Sequence, residues 1–281
     1  MEVWTMVSFS NLGRYWLLVS AIALVAITAA SPARSPGAQA KLGVPFDSRH
    51  FIAAIQDASV PQLGEIDDHL FALAGGNGRL VWRPGTSRKQ LAVVSVMTAD
   101  TYRSFYKSGS GTTPPEAPIA WVTLAPELAQ WCKHLRQAIR ENDVALRRRI
   151  LQRLGLSPTT PYEKVVELWV DRSKVFRPCP DPAVADRSCG LEMEGTPKVK
   201  GIADFPAFFA SLYVGAYGTE GAPWTRLGYT YDWGGRSEVG ASEYMLTTNT
   251  HYDVRSAASV ADYCRWRGLG RARRQPARAR G

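Results

Sequence analysis

Apolar positions along this chain switch between helical and strand-like spacing, and the switches divide it into elements. Residues 47–74 carry helical spacing in two stretches, Phe51, Ile52 and Ile55 and then Ile66, Leu70 and Leu73, with Pro61 as the expected break. Gly75-Gly76-Asn77-Gly78 predicts a turn. Strands are predicted over Leu80–Arg83, Leu91–Thr98 and Ile119–Leu124, with Lys107–Pro118 as an exposed loop. Leu128, Trp131, Cys132, Leu135 and Ile139 then form one apolar helical face, opened by Pro126-Glu127 in the first turn. A second helix over Asp143–Leu154 sets Leu146, Ile150, Leu151 and Leu154 against Arg147, Arg148, Arg149 and Arg153, and Gly155 suits its C-terminal cap. The arginines read as a solvated face, with anion binding as the other option. A strand follows over Val165–Val170, then a helix over Phe205–Tyr217. The end reads as sheet: Leu227–Trp233, Glu238–Thr248 and His251–Ser256, with Gly234-Gly235 as a hairpin turn. The class expected is α+β, a mainly antiparallel sheet with packed amphipathic helices in a single domain over residues 41–264.

One apolar run belongs to none of these. Tyr15 to Ala30 (YWLLVSAIALVAITAA) is sixteen residues without a charge, preceded by Arg14 and followed by small and proline-rich sequence. That is the layout of a secretory signal peptide, and the run is short for a membrane span, which takes roughly 20 apolar residues. Cleavage fits after Thr28-Ala29-Ala30 or after Ala38-Gln39-Ala40. An uncleaved membrane anchor is the competing reading. The expected location is periplasmic or extracellular, with no membrane span after cleavage.

Cysteine usage agrees with export. Cys132, Cys179, Cys189 and Cys264 are four in number and all follow the leader, which predicts two disulfides in an oxidising compartment. Three pairings are open; Cys179–Cys189 with Cys132–Cys264 is favoured because the first pair encloses a short loop rich in Pro and Asp. Scattered histidines without ligand spacing argue against a zinc site, and no cofactor is expected.

The formal charge of +9 changes the picture less than it suggests. Arg265–Gly281 holds seven Arg and no acid, and residues 1–40 hold two Arg and one Glu, so the rest has 25 basic against 24 acidic residues. A nearly neutral domain has no electrostatic case for nucleic acid. The tail over 265–281 reads first as a disordered, solvated end. A frameshift product and a functional polyanion-binding tail are the two other readings. Of nine Trp, Trp121, Trp131, Trp169 and Trp224 sit inside apolar patterns and are expected in the core.

Candidate chemistry is thin. No GxSxG, HExxH or Walker A motif occurs. His134 falls on the exposed side of its helix. Arg177–Pro182 (RPCPDP) is a rigid segment, favoured as a structural clip. Pro223–Gly234 (PWTRLGYTYDWG) alternates Tyr229, Tyr231 and Trp233 with Thr230 and Asp232, so a strand would put three aromatic rings on one face. Exposed, that face would stack on a glycan or another flat ligand; buried, it is packing. Arg226, Asp232 and Glu243 would supply polar contacts. These strings, with Asp-Arg-Ser-Cys and EVGASEY, resemble a group of uncharacterised bacterial exported proteins over roughly Ile119 to Thr248. The resemblance implies export but no role for any residue. Members of that group end shortly after a pair like Tyr263-Cys264, from which the Arg-rich tail departs.

Two functions follow. One is a periplasmic or envelope-associated binding module that uses the 223–233 aromatics, with Arg226, Asp232 and Glu243 for polar contacts. The other is a secreted hydrolase, which requires two of Asp181, Arg226, Asp232, Glu243 and His251 to converge in one cleft. Mass spectrometry of protein from the native host is expected to find an N-terminus at Ser31 or Lys41. A mature chain that keeps its first residues would show the leader to be an anchor.

Overall fold

The strands predicted at Leu91–Thr98 and Val165–Val170 pair with each other at the centre of the main sheet. The computed structural model describes residues 46–115, 120–218 and 220–268; the apolar leader run and its cleavage sites, and the tail from 269 on, lie outside them. The strands are β1 (Gln90–Thr98), β2 (Ser110–Thr112), β3 (Trp121–Leu124), β4 (Tyr162–Asp171), β5 (Val175–Phe176), β6 (Tyr229–Tyr231), β7 (Val239–Ser242), β8 (Tyr244–Leu246) and β9 (His251–Ser259). The helices are α1 (Phe46–Ala58), the single turn α2 (Ala99–Thr101) that runs on as a π turn to Tyr106, α3 (Ala125–His134), α4 (Gln137–Arg140), α5 (Asp143–Arg153), α6 (Phe205–Ala216) and α7 (Val260–Gly268). Seven strands form one antiparallel sheet in the order β2-β9-β4-β1-β3-β8-β5, and β6 with β7 forms a separate ribbon. The α+β class with a mainly antiparallel sheet is what the apolar periods predict.

Alternation along the central strands sorts the core into two layers. Val166, Leu168 and Val170 of β4 join Leu91 and Val93 of β1, with Leu124, Tyr244 and Leu246, on one face. Ala92, Val94 and Val165 look the other way, onto Leu128 and Cys132 of α3, Leu146 and Ile150 of α5, and Tyr263 and Cys264 of α7. Both disulfides form in the favoured pairing. Cys132–Cys264 ties α3 to α7 with Cα atoms 5.0 Å apart, and Cys179–Cys189 closes the Pro-rich clip at 6.5 Å. Arg177, in that clip, is fully buried and bonds inward to Asp186 and to the Ser188 carbonyl.

Several expectations are corrected, each because tertiary partners outrank local pattern. The second helix expected within 47–74 does not form. Beyond a 3-10 turn at Leu63–Glu65 the chain runs extended, because Leu70 and Leu73 donate to the Arg187 and Val184 carbonyls and Phe71 donates to Ser242 Oγ. Leu80–Arg83 supplies only an isolated bridge, Trp82 to Leu91. The loop expected over Lys107–Pro118 contains edge strand β2, seated on β9 through Gly111, where no Cβ fits against the Tyr252 ring. The helix expected to reach Ile139 ends at His134; Leu135 is extended and α4 restarts the path, which returns Leu135 and Ile139 to the same apolar cluster. Arg265 does not belong to a solvated tail: it lies in α7, donates to the Arg140 carbonyl at 3.2 Å and pairs with Asp143. Nor is the arginine face of α5 simply solvated, since Arg147 donates to the Thr160 and Tyr162 carbonyls and Arg149 and Arg153 reach across to the ribbon.

Among the described residues, no helix is long and apolar enough to cross a membrane. The staples differ in reach, spanning sequence separations of 132 and 10. In the chain-entropy picture the longer is worth roughly 5 kcal/mol and the shorter about 3. Calorimetry is therefore expected to show Cys132→Ala/Cys264→Ala melting below Cys179→Ala/Cys189→Ala. The reverse order would mean that the clip, not the helix pair, governs stability.

Candidate functional site

Strands β7 and β8 are one continuous run in sequence, yet they belong to different sheets. β7 pairs with β6, while β8 pairs with β3 and β5. The crossing falls at Glu243, whose backbone N–H donates to the Gly228 carbonyl at 2.9 Å. Gly228 has φ of +80°, and a Cβ there would lie 2.5 Å from Arg177 Cδ and 2.9 Å from Leu70 Cδ1, so the close approach requires glycine.

A second consequence of that topology is a gap. β1 and β3 pair only at Val93↔Leu124 and Val94↔Thr123, although β1 continues to Thr98 and β3 begins at Trp121. The two strands diverge, and a cavity of about 660 Å³ opens between them. Leu154–Leu156, the last turns of α6 (Ser211, Leu212, Gly215, Ala216), Pro223-Trp224 and Thr230-Tyr231 complete its walls. The lining is mainly apolar and aromatic. Trp121, expected in the core, is 38 % exposed, and its ring meets Trp224 edge to face at 6.0 Å on the cavity wall.

Two polar atoms in this lining are buried without a hydrogen-bond partner, Glu243 Oε2 and Thr123 Oγ1. Burial alone pushes the Glu243 carboxyl up to about 8. Tyr217 is pushed up to about 12, chiefly by burial, with Glu243 adding to the shift. On the α3 side, Glu127 accepts from the Ser242 N–H at 2.8 Å and from its hydroxyl at 3.2 Å. Burial raises Glu127 to about 7 against the opposing pull of Ser242, Arg153 and Arg79. Glu127 does not line the cavity; it joins α3 to β7. The sequence placed it only as a first-turn acid, and nothing in the local pattern marks its partner.

The other sequence-selected residues serve the scaffold. Tyr229, Tyr231 and Trp233 are buried, so they present no row of rings to solvent. Their polar atoms are engaged: Tyr229 hydroxyl with the Glu65 carbonyl at 2.8 Å, Tyr231 hydroxyl with Asp57 Oδ2 at 2.8 Å, and Trp233 indole with the Leu156 carbonyl at 3.2 Å. Asp232 is held by Arg149 in two bonds of 2.7 and 2.6 Å, with Arg153 at 3.7 Å. That buried pair, with the Arg153 bond to the Val239 carbonyl at 2.8 Å, fastens the ribbon to α5. Arg226 donates to Tyr217 hydroxyl at 3.1 Å and to the Ser59 carbonyl at 2.9 Å. Asp181 is exposed and caps the Ala183 N–H; His251 is exposed beside Asp253; His134 is exposed as expected. Among the described residues, no hydrogen bond or ion pair joins any two of Asp181, Arg226, Asp232, Glu243 and His251.

Two acidic groupings bring three ligand atoms within 4.8 Å of one another: Asp67, Asp68 and His69, and Asp57, Glu65 and Glu238. Internal hydrogen bonds already engage Asp67, with the His69 N–H, and Asp57, with Tyr231. Compared with protein-family models, curated proteins and solved structures, the chain matches none.

The raised Glu243 carboxyl sets a pH dependence. The folded group keeps its proton up to about pH 8, whereas an unfolded Glu loses it near about pH 4.3. The unfolded state thus binds fewer protons across that window, and stability falls as pH rises through it. Glu127 acts in the same direction up to about 7. Melting temperature is expected to fall between about pH 5 and about pH 8, and less steeply in Glu243→Gln. Parallel curves for the two proteins would show that Glu243 is ionised in the folded chain.

Proposed function

We propose that this protein is an exported binding module that holds a small apolar or amphipathic molecule in the cavity between β1 and β3. The observation that carries the reading is a preformed, mainly apolar space with two buried polar atoms left without partners inside it. Its volume falls within the roughly 300–1,000 Å³ of small-molecule sites, which characteristically pair apolar walls with a few placed polar groups. A buried polar atom without a partner costs about 1–3 kcal/mol, so a ligand that satisfies it regains that energy. The Pro223–Gly234 segment enters the reading as wall, through Pro223, Trp224, Thr230 and Tyr231, and not as a surface platform for glycans.

Hydrolysis is the weaker reading. It needs a second acid, base or nucleophile beside Glu243, and the other four residues considered for it do not line the cavity. Export draws support from the two disulfides, which persist in oxidising compartments, and from the charge-free leader. The test is the fluorescence of the apolar dye N-phenyl-1-naphthylamine. It is expected to rise on mixing with the full chain, and to rise far less with Ser95→Trp, which fills the cavity from β1. A dye signal of equal size in both proteins would place the binding elsewhere and overturn the reading.

A further inference from the structure

The cavity is one-sided in charge. Its lining contains two carboxylates, Glu243 and Glu220, and among the described residues no Lys, Arg or His. No basic side chain offsets the effect of burial on Glu243. Arg226 lies outside the lining and donates to the Tyr217 hydroxyl and the Ser59 carbonyl. Thr123 belongs to the same polar spot. β3 and β8 pair Trp121 with Met245 and Val122 with Tyr244, so Thr123 and Glu243 each follow directly on the last paired position, and both line the cavity. Their unpartnered atoms, Thr123 Oγ1 and Glu243 Oε2, are the polar points of that lining left to grip one small polar group.

We infer that the molecule bound here carries a basic nitrogen on an otherwise apolar body, with the nitrogen bonded to Glu243 Oε2 and Thr123 Oγ1. The inference rests on the cavity being a binding site. In the empty cavity the carboxyl is neutralised by its own proton. A neutral amine that enters takes that proton: the O–H bond of Glu243 breaks, a new N–H bond forms on the nitrogen lone pair, and an ammonium–carboxylate pair results. No net charge crosses into the apolar space, so the cost of burying an isolated ion is avoided. The ammonium has three donors, enough for the carboxylate and the threonine hydroxyl together. An anionic amphiphile finds no Lys, Arg or His in the lining to offset its buried charge, and Glu220 repels it. An alcohol satisfies one neutral hydrogen bond, and bonds to charged groups are the stronger kind.

The test measures displacement of N-phenyl-1-naphthylamine from the full chain by dodecylamine, dodecanol and dodecanoate, which share one tail and differ in head group. Dodecylamine is expected to displace the dye at a concentration lower than dodecanol by about tenfold or more, and dodecanoate is expected to be the weakest. The ratio of amine to alcohol is read within each protein, so the basal affinity of a variant does not matter. Glu243→Gln is expected to bring the ratio close to one, and Thr123→Val to reduce it in part. Equal displacement by all three, a preference for dodecanoate, or an amine preference that survives in Glu243→Gln would overturn the inference while leaving the binding site intact. Failure of the dye and all three amphiphiles to bind would remove the binding site and the inference with it.

Discussion

The crossing of one chain between two sheets at Glu243 is the constraint on which the site depends. Up to Ser242 the backbone pairs with the β6 ribbon; from Tyr244 it pairs within the main sheet. A strand cannot serve both partners at one residue, so Glu243 is left at the corner with its side chain in the space between them. The same crossing draws β3 toward β8 and away from the end of β1, and the cavity is the resulting wedge.

The remainder of the structure holds this corner in place. On one side, Asp232 with Arg149 fixes the ribbon to α5. Removing one partner of such a buried pair typically costs about 3–5 kcal/mol, because the other charge is left unpaired. On the other side, Glu127 gathers both polar groups of Ser242, and Ser242 in turn receives the Phe71 N–H. The clip closed by Cys179–Cys189 supplies the carbonyls of Val184 and Arg187 that keep 70–73 extended. Residues far apart in sequence therefore converge on a corner that no local segment could maintain alone.

The sequence discloses the elements better than the site. The nearly continuous apolar runs at Leu91–Thr98 and Val165–Val170 became β1 and β4 because both of their faces are covered. The helices at Phe205 and Asp143 were legible from spacing and caps, and the disulfide pairing from cysteine position. The aromatic alternation of 229–233 was legible too, but exposure was not: whether rings face solvent depends on α1 and α5 arriving beside them, which no period encodes. Glu243 was legible only as one of several candidate acids and polar contacts. Its unpartnered state was invisible, because the strand pattern continues unbroken from Val239 to Leu246 while the hydrogen-bonding partner changes. The cavity is a property of divergence between β1 and β3, and divergence leaves no mark in either strand.

Binding in the wedge between β1 and β3 is what the corner at Glu243 is proposed to serve. A structure determined with dodecylamine bound tests it most directly. The apolar tail is expected along the cavity beside Trp121 and Trp224, with the nitrogen within hydrogen-bond distance of Glu243 and Thr123. An amine found on the outer surface, or seated in the cavity with its nitrogen turned away from Glu243 toward solvent, would contradict it.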